Sequence, residues 1–344
     1  MSGIDYRNSG VDIDEGLKAV DMMKEEVRKT FNHNVLSELG HFGGLFKADF
    51  PGMEQPVLVA SMDGVGTKLK VASLVGDYST VGCDLVNHCV NDILVQGAHP
   101  MFFLDYIACG KLDAAVAAQI VTGLAKACSE NSCALLGGET AEMPGFYNQG
   151  DYDVAGTIVG SVDKRRIVDG SSVVPGDTII GLPSSGLHTN GFSLARAVLF
   201  EKAGLNVSDR HRLLGEDTVG EALLKVHLSY LRPMKPLLER KLVSGMAHIT
   251  GGGVPGNLVR ILPEGCGALI TPGWDVPPVF KLIKELGDIP EIEMRRAFNL
   301  GAGFLIVTSH PEKVTELLIQ AGEAPFTAGR ITVGDSIEYS GEGV

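Results

Sequence analysis

Residues able to bind a phosphorylated ligand are concentrated in a turn that follows a short apolar run at residues 57–60. The turn, residues 61–68, contains a carboxylate, a hydroxyl and a lysine within six residues, together with two glycines. A β-rich run that breaks into glycines is typical of a strand end at which backbone N–H groups approach an anion closely. The sequence therefore predicts an anion-binding turn with these candidate residues: Asp63, Gly64, Gly66, Thr67 and Lys68.

A helix-length segment at residues 80–96 carries a second polar group. Apolar residues recur along one side of it at helical spacing, and the other side carries only short oxygen- and nitrogen-bearing side chains. A solvated helix face would usually carry lysine and glutamate, so the pattern favours a cavity wall, with an ordinary exposed polar face as the alternative. The polar residues are Asp84, Asn87, His88, Asn91 and Asp92, and Gly97 and Ala98 follow the segment.

A third polar turn, at residues 137–145, follows a predicted strand near residues 133–137. Two glycines precede two carboxylates three residues apart, so that with Asp63, Asp84 and Asp92 the chain has five carboxylates beside glycine turns. Such oxygens suit a Mg²⁺ ion that carries nucleotide phosphates, although Mg²⁺ needs only one or two of them. Any one of these acids taken alone is more often a loop cap. The candidates here are Gly138, Glu139, Thr140 and Glu142.

Two glycine turns in the second half of the chain, at residues 184–191 and 248–253, each stand between a predicted strand and a predicted helix. A helix N-terminus presents backbone N–H groups, which favour a phosphate. Each turn also carries a histidine, and the sequence leaves open whether these histidines are structural or catalytic. The candidate phosphate-binding residues of these turns are Ser185, Gly186, His188, Thr189, Asn190, Thr250, Gly251, Gly252 and Gly253, and the two histidines are His188 and His248.

The elements that position these turns form two sets. The first set begins with a helix that starts near Asp12 or Asp14 and has Leu17, Val20, Met23 and Val27 on one face. It continues with strand 57–61, helix 80–96, strand 101–108, helix 113–130 and strands 133–137 and 152–162. The second set comprises strands 177–182, 245–249, 266–271, 303–308 and 326–333 and helices 192–203, 256–262, 276–286 and 311–321. Residues 168–176 have the composition of a linker.

The predicted fold is therefore α+β or α/β, with a β-α-β-α-β-β domain over residues 1–168 and an α/β layer domain over residues 169–344. A sheet with helices on one face leaves its other face without cover. We expect a homodimer that buries this face.

Composition and charge exclude several classes of protein. Of the 344 residues, 44% are hydrophobic and 21% are charged, as in ordinary globular proteins. No run approaches the roughly 20 apolar residues of a membrane span, and no secretory signal stands at the start, so we expect a cytoplasmic protein without a membrane partner. The net charge of −13 argues against a nucleic-acid partner. The six cysteines form no C-x-x-C pair, and we expect them to be reduced and buried.

The motifs of P-loop ATPases, Rossmann dehydrogenases, α/β-hydrolases and HExxH metalloproteases are missing from the sequence. The residues alone therefore indicate a two-domain, magnesium-dependent enzyme that acts on phosphorylated small molecules.

Five motifs occur in the order of the aminoimidazole ribonucleotide synthetase family, also called phosphoribosylformylglycinamidine cyclo-ligases, which the chain resembles from about Asp5 to Gly334. They are residues 63–68, residues 91–92 with Gly97, Ala98 and Pro100, residues 137–145, residues 186–191 and residues 248–253. The segment from Asp92 to Pro100 resembles the ATP-binding signature of a wider superfamily that includes selenophosphate synthetase, thiamine-monophosphate kinase and a hydrogenase-maturation protein. Residues 102–106 and 139–145 resemble the cyclo-ligase branch.

The resemblance implies ATP-dependent ring closure of formylglycinamidine ribonucleotide to aminoimidazole ribonucleotide in purine biosynthesis, with release of ADP and phosphate. It implies Mg²⁺ held by Asp63, Asp92 and Glu139, with Lys68 neutralising the transferring phosphoryl group. The turns at residues 185–191 and 250–253 would bind the substrate, in particular its ribose 5-phosphate. His188 and His248 would be catalytic and would orient the amidine or move its proton. The resemblance also implies a dimer in which four strands of each subunit close an eight-stranded barrel, with ATP near the interface.

Two alternatives stay open. One is another member of the superfamily, such as thiamine-monophosphate kinase or selenophosphate synthetase; the latter is disfavoured because no cysteine precedes Cys83. The other is a catalytically silent, nucleotide-sensing scaffold of the same fold. The intact set of carboxylates and Lys68 argue against that scaffold, because a silent relative need not keep them.

Overall fold

The computed structural model of the chain describes residues 12–40 and 43–341. Part of the glycine-rich segment at residues 40–46 therefore lies outside the described residues, as do the first eleven residues and the last three. Among the described residues, no helix combines the length and apolar character needed to cross a membrane. The six cysteines form no disulfide, and five of them are buried, as expected.

The N-terminal half contains a four-stranded sheet in the order β1-β4-β2-β3, in which β2 and β3 are parallel and the other neighbours are antiparallel. Four helices precede or connect its strands. The bounds are α1 Ile13–Arg28, β1 Pro56–Gly64, α2 Lys68–Val75, α3 Val81–Leu94, β2 His99–Cys109, α4 Ala114–Glu130, β3 Ala134–Glu142 and β4 Tyr152–Asp163.

The two faces of this sheet differ because side chains alternate along each strand. On one face, Phe103, Ile107 and Ile158 are fully buried against the helices. On the opposite face, Leu58 and Met62 of β1 are 61% and 66% exposed. The structure therefore shows the apolar, uncovered face that the sequence predicts for a single chain.

The C-terminal half contains a six-stranded sheet in the order β10-β7-β9-β5-β8-β6. Its strands are β5 Thr178–Pro183, β6 Gly245–His248, β7 Cys266–Ile270, β8 Ala302–Thr308, β9 Phe326–Val333 and β10 Ile337–Tyr339. Its helices are α5 Phe192–Arg196, which continues as a π-helix over Ala197–Lys202, α6 Val219–Leu224, α7 Leu231–Glu239, α8 Gly253–Leu258, α9 Pro278–Gly287, α10 Glu291–Ala297 and α11 Pro311–Gln320. Short 3₁₀ turns occupy Lys164–Arg166, Arg212–Leu214 and Val259–Ile261.

Most predicted elements occur near their predicted bounds, and the differences have local causes. Strand β3 does not end at residue 137 but continues through Glu142, because its backbone pairs with β2 along that whole length. Helix α8 begins at Gly253 rather than at residue 256. Four helices and a strand were not predicted, and all of them are short: α2, α6, α7, α10 and β10.

The first helix begins after Asp12, whose side chain accepts a hydrogen bond from the Glu15 N–H. Only part of the predicted apolar face is buried. Met23 and Val27 are buried together with Ala19, whereas Leu17 and Val20 are exposed. Ala19, Met23 and Val27 recur every four residues, so this helix packs along a narrower stripe than its apolar residues suggested.

One hydrophobic cluster continues from α3 and α4 into the second half of the chain, where it includes Leu187, Phe192 and Phe298. The two sheets lie on either side of the predicted linker, but the core does not stop there. The division at residue 168 stays a proposal.

Helix α3 is held close to α4 by two glycines. A Cβ atom on Gly82 would overlap the backbone of Ile120 and Leu124, and one on Gly123 would lie 2.7 Å from the Ser79 carbonyl oxygen. We expect Gly82→Ala to lower the free energy of unfolding by about 1–3 kcal/mol, because overpacking separates the two helices. Gly16→Ala is the matched control in α1, since no atom lies within 4 Å of its Cβ position. The control should stabilise the protein by about 0.5–1 kcal/mol. Urea unfolding measures both, and an unchanged stability of Gly82→Ala would show that α3 can move away from α4.

Candidate active site

A cluster of polar side chains lies where α3 meets three loops of the C-terminal half. Strand β1 contributes Asp63 at its end, and α3 contributes its polar stripe. The loops after β5, before α7 and at the end of β6 bring in histidines. We call His88, His188, His227 and His248 the histidine cluster; each of them is at least 95% buried.

Asp63 and His88 form the first contact of the site. The Asp63 Oδ2 atom lies 2.8 Å from the His88 Nε2 atom, and the His88 Nδ1 atom lies 2.7 Å from the Thr189 hydroxyl. Burial alone would raise the pKa of Asp63, but the hydrogen bond and charge of His88 lower it below its usual value. Burial likewise opposes charge on His88, whose pKa is nevertheless raised by Asp63 and Asp92. Both partners are therefore favoured in their charged forms.

Asp92 links α3 to the C-terminal half. Its Oδ1 atom lies 2.8 Å from the His248 Nδ1 atom, and its Oδ2 atom accepts a hydrogen bond of 3.2 Å from the Ser61 hydroxyl. Burial would raise the pKa of Asp92, yet the hydrogen bond and charge of His248 lower it. Asp63 and Asp92 thus present ionised, partly exposed carboxylates to the same side of His88, which lies 3.6 Å from Asp92.

The polar stripe of α3 is largely buried rather than exposed to solvent, and much of it binds other parts of the protein. Asn87 donates to the His227 carbonyl, and Asn91 donates to the Leu228 carbonyl and accepts from the Tyr230 N–H. These bonds fix the loop before α7 against the helix. The buried Asn91 side chain is therefore occupied by the protein backbone and not directed at ATP.

The structure corrects the role assigned to Lys68. This side chain is fully buried, and its ammonium lies 2.8 Å from the Asp84 Oδ2 atom. It also donates to the carbonyl oxygens of His188 and Lys225 at 3.1 and 2.8 Å. Burial lowers the pKa of Lys68 and raises that of Asp84. Because its three protons are engaged inside the protein, Lys68 holds the two halves together and cannot reach a phosphoryl group in this conformation.

The third predicted turn lies elsewhere. Glu142 is a cap: its two oxygens accept hydrogen bonds from the Leu112 and Asp12 N–H groups. Glu139 is exposed and pairs with Tyr106, so it points to the uncovered face of the sheet, whereas Asp63 points to the helices. Three strand spacings, about 14 Å, separate Asp63 from the strand that carries Glu139. Asp63 and Glu139 of one chain therefore cannot share one ion. Gly138 and Thr140 lie on the same distant strand.

The remaining glycine turns do come together. The Thr67 hydroxyl lies 3.2 Å from that of Ser193, which joins the 61–68 turn to the start of α5. A Cβ atom on Gly251 would lie 3.4 Å from the Asn190 side-chain oxygen, so the 184–191 and 248–253 turns are neighbours. Asn257 shapes the second turn by donating to the carbonyls of residues 250, 251 and 253.

Several glycines in these turns need left-handed backbone, namely Gly66, Gly186, Gly191, Gly252 and Gly253. Thr250 donates to Asn257, and Ser185 donates to the Val226 carbonyl at 2.5 Å. Gly97 has φ +80° where the chain leaves α3, and the buried Ala98 follows it. Gly97 and Ala98 contact the protein and lie outside the polar cluster, and Gly64 pairs within the sheet.

His227 was missed by the sequence reasoning. It lies in an irregular segment before α7, and nothing in its neighbourhood of the sequence indicates a site. Its contacts with residues of α3, more than 130 positions away, and with His248 place it in the cluster.

Comparisons with known proteins cover almost the whole chain. The family model described as AIR synthase related protein, N-terminal domain, matches residues 50–162, and its C-terminal counterpart matches residues 174–341. The phosphoribosylformylglycinamidine cyclo-ligase of Desulfitobacterium hafniense is 50% identical over 338 residues, which cover 96% of this chain and 97% of that protein. The chain belongs to the phosphoribosylformylglycinamidine cyclo-ligase family.

Solved structures place this cyclo-ligase family member in a wider fold group. Thiamine-monophosphate kinase from Stenotrophomonas maltophilia K279a superposes with a TM-score of 0.69 at 15% identity, over 95% of this chain and 97% of that one. The hydrogenase maturation protein HypE in complex with ATP superposes with a TM-score of 0.63 at 17% identity, over 97% and 94% of the two chains. The two-domain α/β fold is therefore confirmed.

Proposed function

We propose that this chain catalyses the ATP-dependent ring closure of formylglycinamidine ribonucleotide to aminoimidazole ribonucleotide, with release of ADP and phosphate. The observation that carries the proposal is the 50% identity, over nearly the full length of both chains, to a phosphoribosylformylglycinamidine cyclo-ligase. The meeting of the 61–68, 184–191 and 248–253 turns beside α3 supports it, because these turns are the motifs that resemble the family. ATP is the co-substrate, and purine biosynthesis is the pathway.

Asp63 and Asp92 are the residues we propose to hold Mg²⁺. Both are ionised carboxylates at the partly exposed edge of the cluster, and hard oxygen ligands of this kind suit Mg²⁺. The bound ion would neutralise the charge that develops on the transferring phosphoryl group. Glu139 is withdrawn from this ligand set because it lies on the other face of the sheet.

The remaining proposed roles in the reaction belong to side chains of the protein. The Asp92 carboxylate accepts a hydrogen bond from the His248 Nδ1–H and so fixes the orientation of that ring. His248 is the residue we propose to move a proton of the amidine, since it lies at the end of β6 beside the Thr250–Gly253 turn. His188 is 1% exposed and lies behind this surface, so we propose that it positions the loop. Thr189, Asn190 and Thr250 remain our candidates for binding the substrate.

A direct assay tests the reaction. ADP release by purified protein with Mg-ATP is measured with and without formylglycinamidine ribonucleotide, and the aminoimidazole product is followed by a colour reaction. We expect ADP release that depends on the substrate and equals the product formed. ATP binding without product would instead favour another superfamily activity or a silent scaffold, and thiamine monophosphate and selenide would then be tried as acceptors.

The uncovered sheet face supports a homodimer with the sheets of two chains packed against each other, and we propose that this dimer works in the cytoplasm. We expect the wild-type chain to sediment as a dimer at equilibrium. Leu58→Glu should shift it towards monomer, because a charge on this 61% exposed position of the sheet cannot be buried without a large cost. Val333→Glu, on β9 at 84% exposure, is the matched control and should stay dimeric. A stable wild-type monomer would refute the dimer.

A further inference from the structure

Both lysines at the predicted anion-binding turn, residues 61–68 and the start of α2, are already paired with carboxylates. Lys68 is fully buried and lies 2.8 Å from the Asp84 Oδ2 atom. Lys70, two residues further on, forms an ion pair with Asp151. A phosphate is bound most strongly by a positively charged side chain that donates hydrogen bonds to it. A phosphate at this turn would therefore take its positive partner from another part of the chain.

Arg196, in the last turn of α5, is a positive side chain without a partner. Within residues 12–40 and 43–341, no hydrogen bond or ion pair engages its guanidinium, and its Nε atom is buried and unpaired. The residue as a whole is only partly exposed. A guanidinium stays charged and presents five N–H donors in a rigid fork. Because partly buried charges and buried polar atoms are rarely left unpaired, Arg196 has unused capacity for a negatively charged ligand.

Helix geometry places Arg196 beside the anion-binding turn. It lies four positions after Phe192 and three after Ser193, so the three side chains share one face of α5. Both neighbours contact the turn. The Phe192 ring centroid lies 5.6 Å from the Lys68 ammonium, and the Ser193 hydroxyl lies 3.2 Å from that of Thr67. Side chains on a helix lean towards its N-terminus, so the guanidinium extends back towards these contacts.

The start of α2 is a second feature that suits an anion. Its N-cap residue, Thr67, forms no side-chain capping hydrogen bond, and its first turn carries no acidic residue. Gly66 and Thr67 are both exposed. Backbone N–H groups at the start of a helix attract negative charge. The uncapped start of α2 and the unpaired guanidinium therefore both adjoin the contact between Thr67 and Ser193.

We propose that Arg196, together with the uncapped start of α2, binds a phosphate group of a ligand that lies across the 61–68 and 184–191 turns. The guanidinium would donate to two phosphate oxygens at once, and backbone N–H groups of the turn would donate to a third. The phosphate belongs to ATP or to the ribonucleotide substrate, since each carries one and both turns meet here. The inference rests on the proposed function for the identity of these two ligands.

Isothermal titration of the full-length chain tests the proposal in two arms, one with Mg-ATP and one with formylglycinamidine ribonucleotide alone. Arg196→Gln should raise the Kd for at least one of them by about 10–100-fold, as expected for a lost hydrogen bond to a charged group. The arm that changes more identifies the phosphate. Arg196→Lys keeps the charge but loses the fork, so it should recover part of the affinity. Arg240→Gln, at an exposed arginine that ends α7, is the matched control and should bind both ligands as the wild type does.

Thermal unfolding separates a ligand-binding arginine from a structural one. Without ligand, Arg196→Gln should unfold at or above the wild-type temperature, because it removes an unpaired and partly buried charge. At equal ligand concentration, the ligand identified by titration should raise the unfolding temperature of the wild type more than that of the variant. A variant that fails to fold, or that binds both ligands as tightly as the wild type, would overturn the proposal. A wild-type chain that binds neither ligand would overturn it as well.

The binding measurements need no turnover, so this proposal and the proposed reaction can fail separately. A wild-type chain that binds Mg-ATP through Arg196 yet forms no aminoimidazole product would refute the cyclo-ligase reaction and leave the phosphate site in place. An active wild-type chain whose Arg196→Gln variant binds both ligands normally would refute the phosphate site and leave the reaction in place.

Discussion

Asp92→Asn will lower cyclo-ligase turnover by at least about 100-fold while leaving the fold intact, as expected when one positioned charge is removed from a transition-state site. The Asp92 carboxylate is the acceptor that orients His248, and with Asp63 it forms the proposed Mg²⁺ site. Asparagine keeps the shape but loses the negative charge. The variant should therefore bind the ion more weakly, and it should no longer fix the orientation of the His248 ring. Steady-state kinetics with saturating Mg-ATP measure the loss.

Two further measurements separate this effect from general damage. Thermal unfolding of Asp92→Asn should occur close to the wild-type temperature, because the substitution is nearly isosteric. Asp21→Asn, which changes an 80% exposed carboxylate of α1, should keep wild-type turnover. Near-normal turnover of Asp92→Asn would remove Asp92 from the active site and leave Asp63 as the single proposed metal ligand.

The largest effect on stability is expected at the buried ion pair of Lys68 and Asp84. Lys68→Met leaves the Asp84 charge without its partner at a site that excludes water, which should cost about 3–5 kcal/mol of unfolding free energy. The same change also frees the His188 and Lys225 carbonyls. Lys313→Met, which breaks an exposed pair with Glu316, is the control and should cost less than about 1 kcal/mol.

A double-mutant cycle makes the test specific to the pair. Lys68→Met combined with Asp84→Leu should lose less stability than the sum of the two single variants, because no unpaired charge remains. Denaturant unfolding of the four proteins gives the coupling energy. The opposite pattern, a Lys68→Met protein of wild-type stability that has lost turnover, would restore the phosphoryl-binding role that the sequence suggested.

Local pattern was sufficient for much of the fold. The periodicity of residues 80–96 predicted α3, and the glycines of residues 61–68, 184–191 and 248–253 located the turns that assemble beside it. The motifs also led to the family, which the comparisons confirm. These features are local: backbone freedom at glycine and the spacing of apolar residues act over a few positions.

Prediction from local sequence pattern failed where a residue's contact partner is remote in sequence. Lys68 stands in a glycine turn where a lysine would bind phosphate. Its side chain instead lies inside the protein, where it contacts Asp84 and the carbonyl oxygen of residue 225. Glu139 stands in a motif beside Glu142, yet pairing with β2 turns it to the other face of the sheet. Leu17 and Val20 share the apolar character of Met23, but the packing partners of α1 select the narrower stripe.

By itself, the sequence determined the elements, the turns and the family of this protein. Only the tertiary structure decided which polar groups meet. The contact of Asp84 with the His227 N–H spans 143 positions, and that of Asp92 with His248 spans 156. Such pairs form when separate elements pack together, and their hydrogen bonds and charges then decide which candidate residues face a ligand and which are bound within the protein.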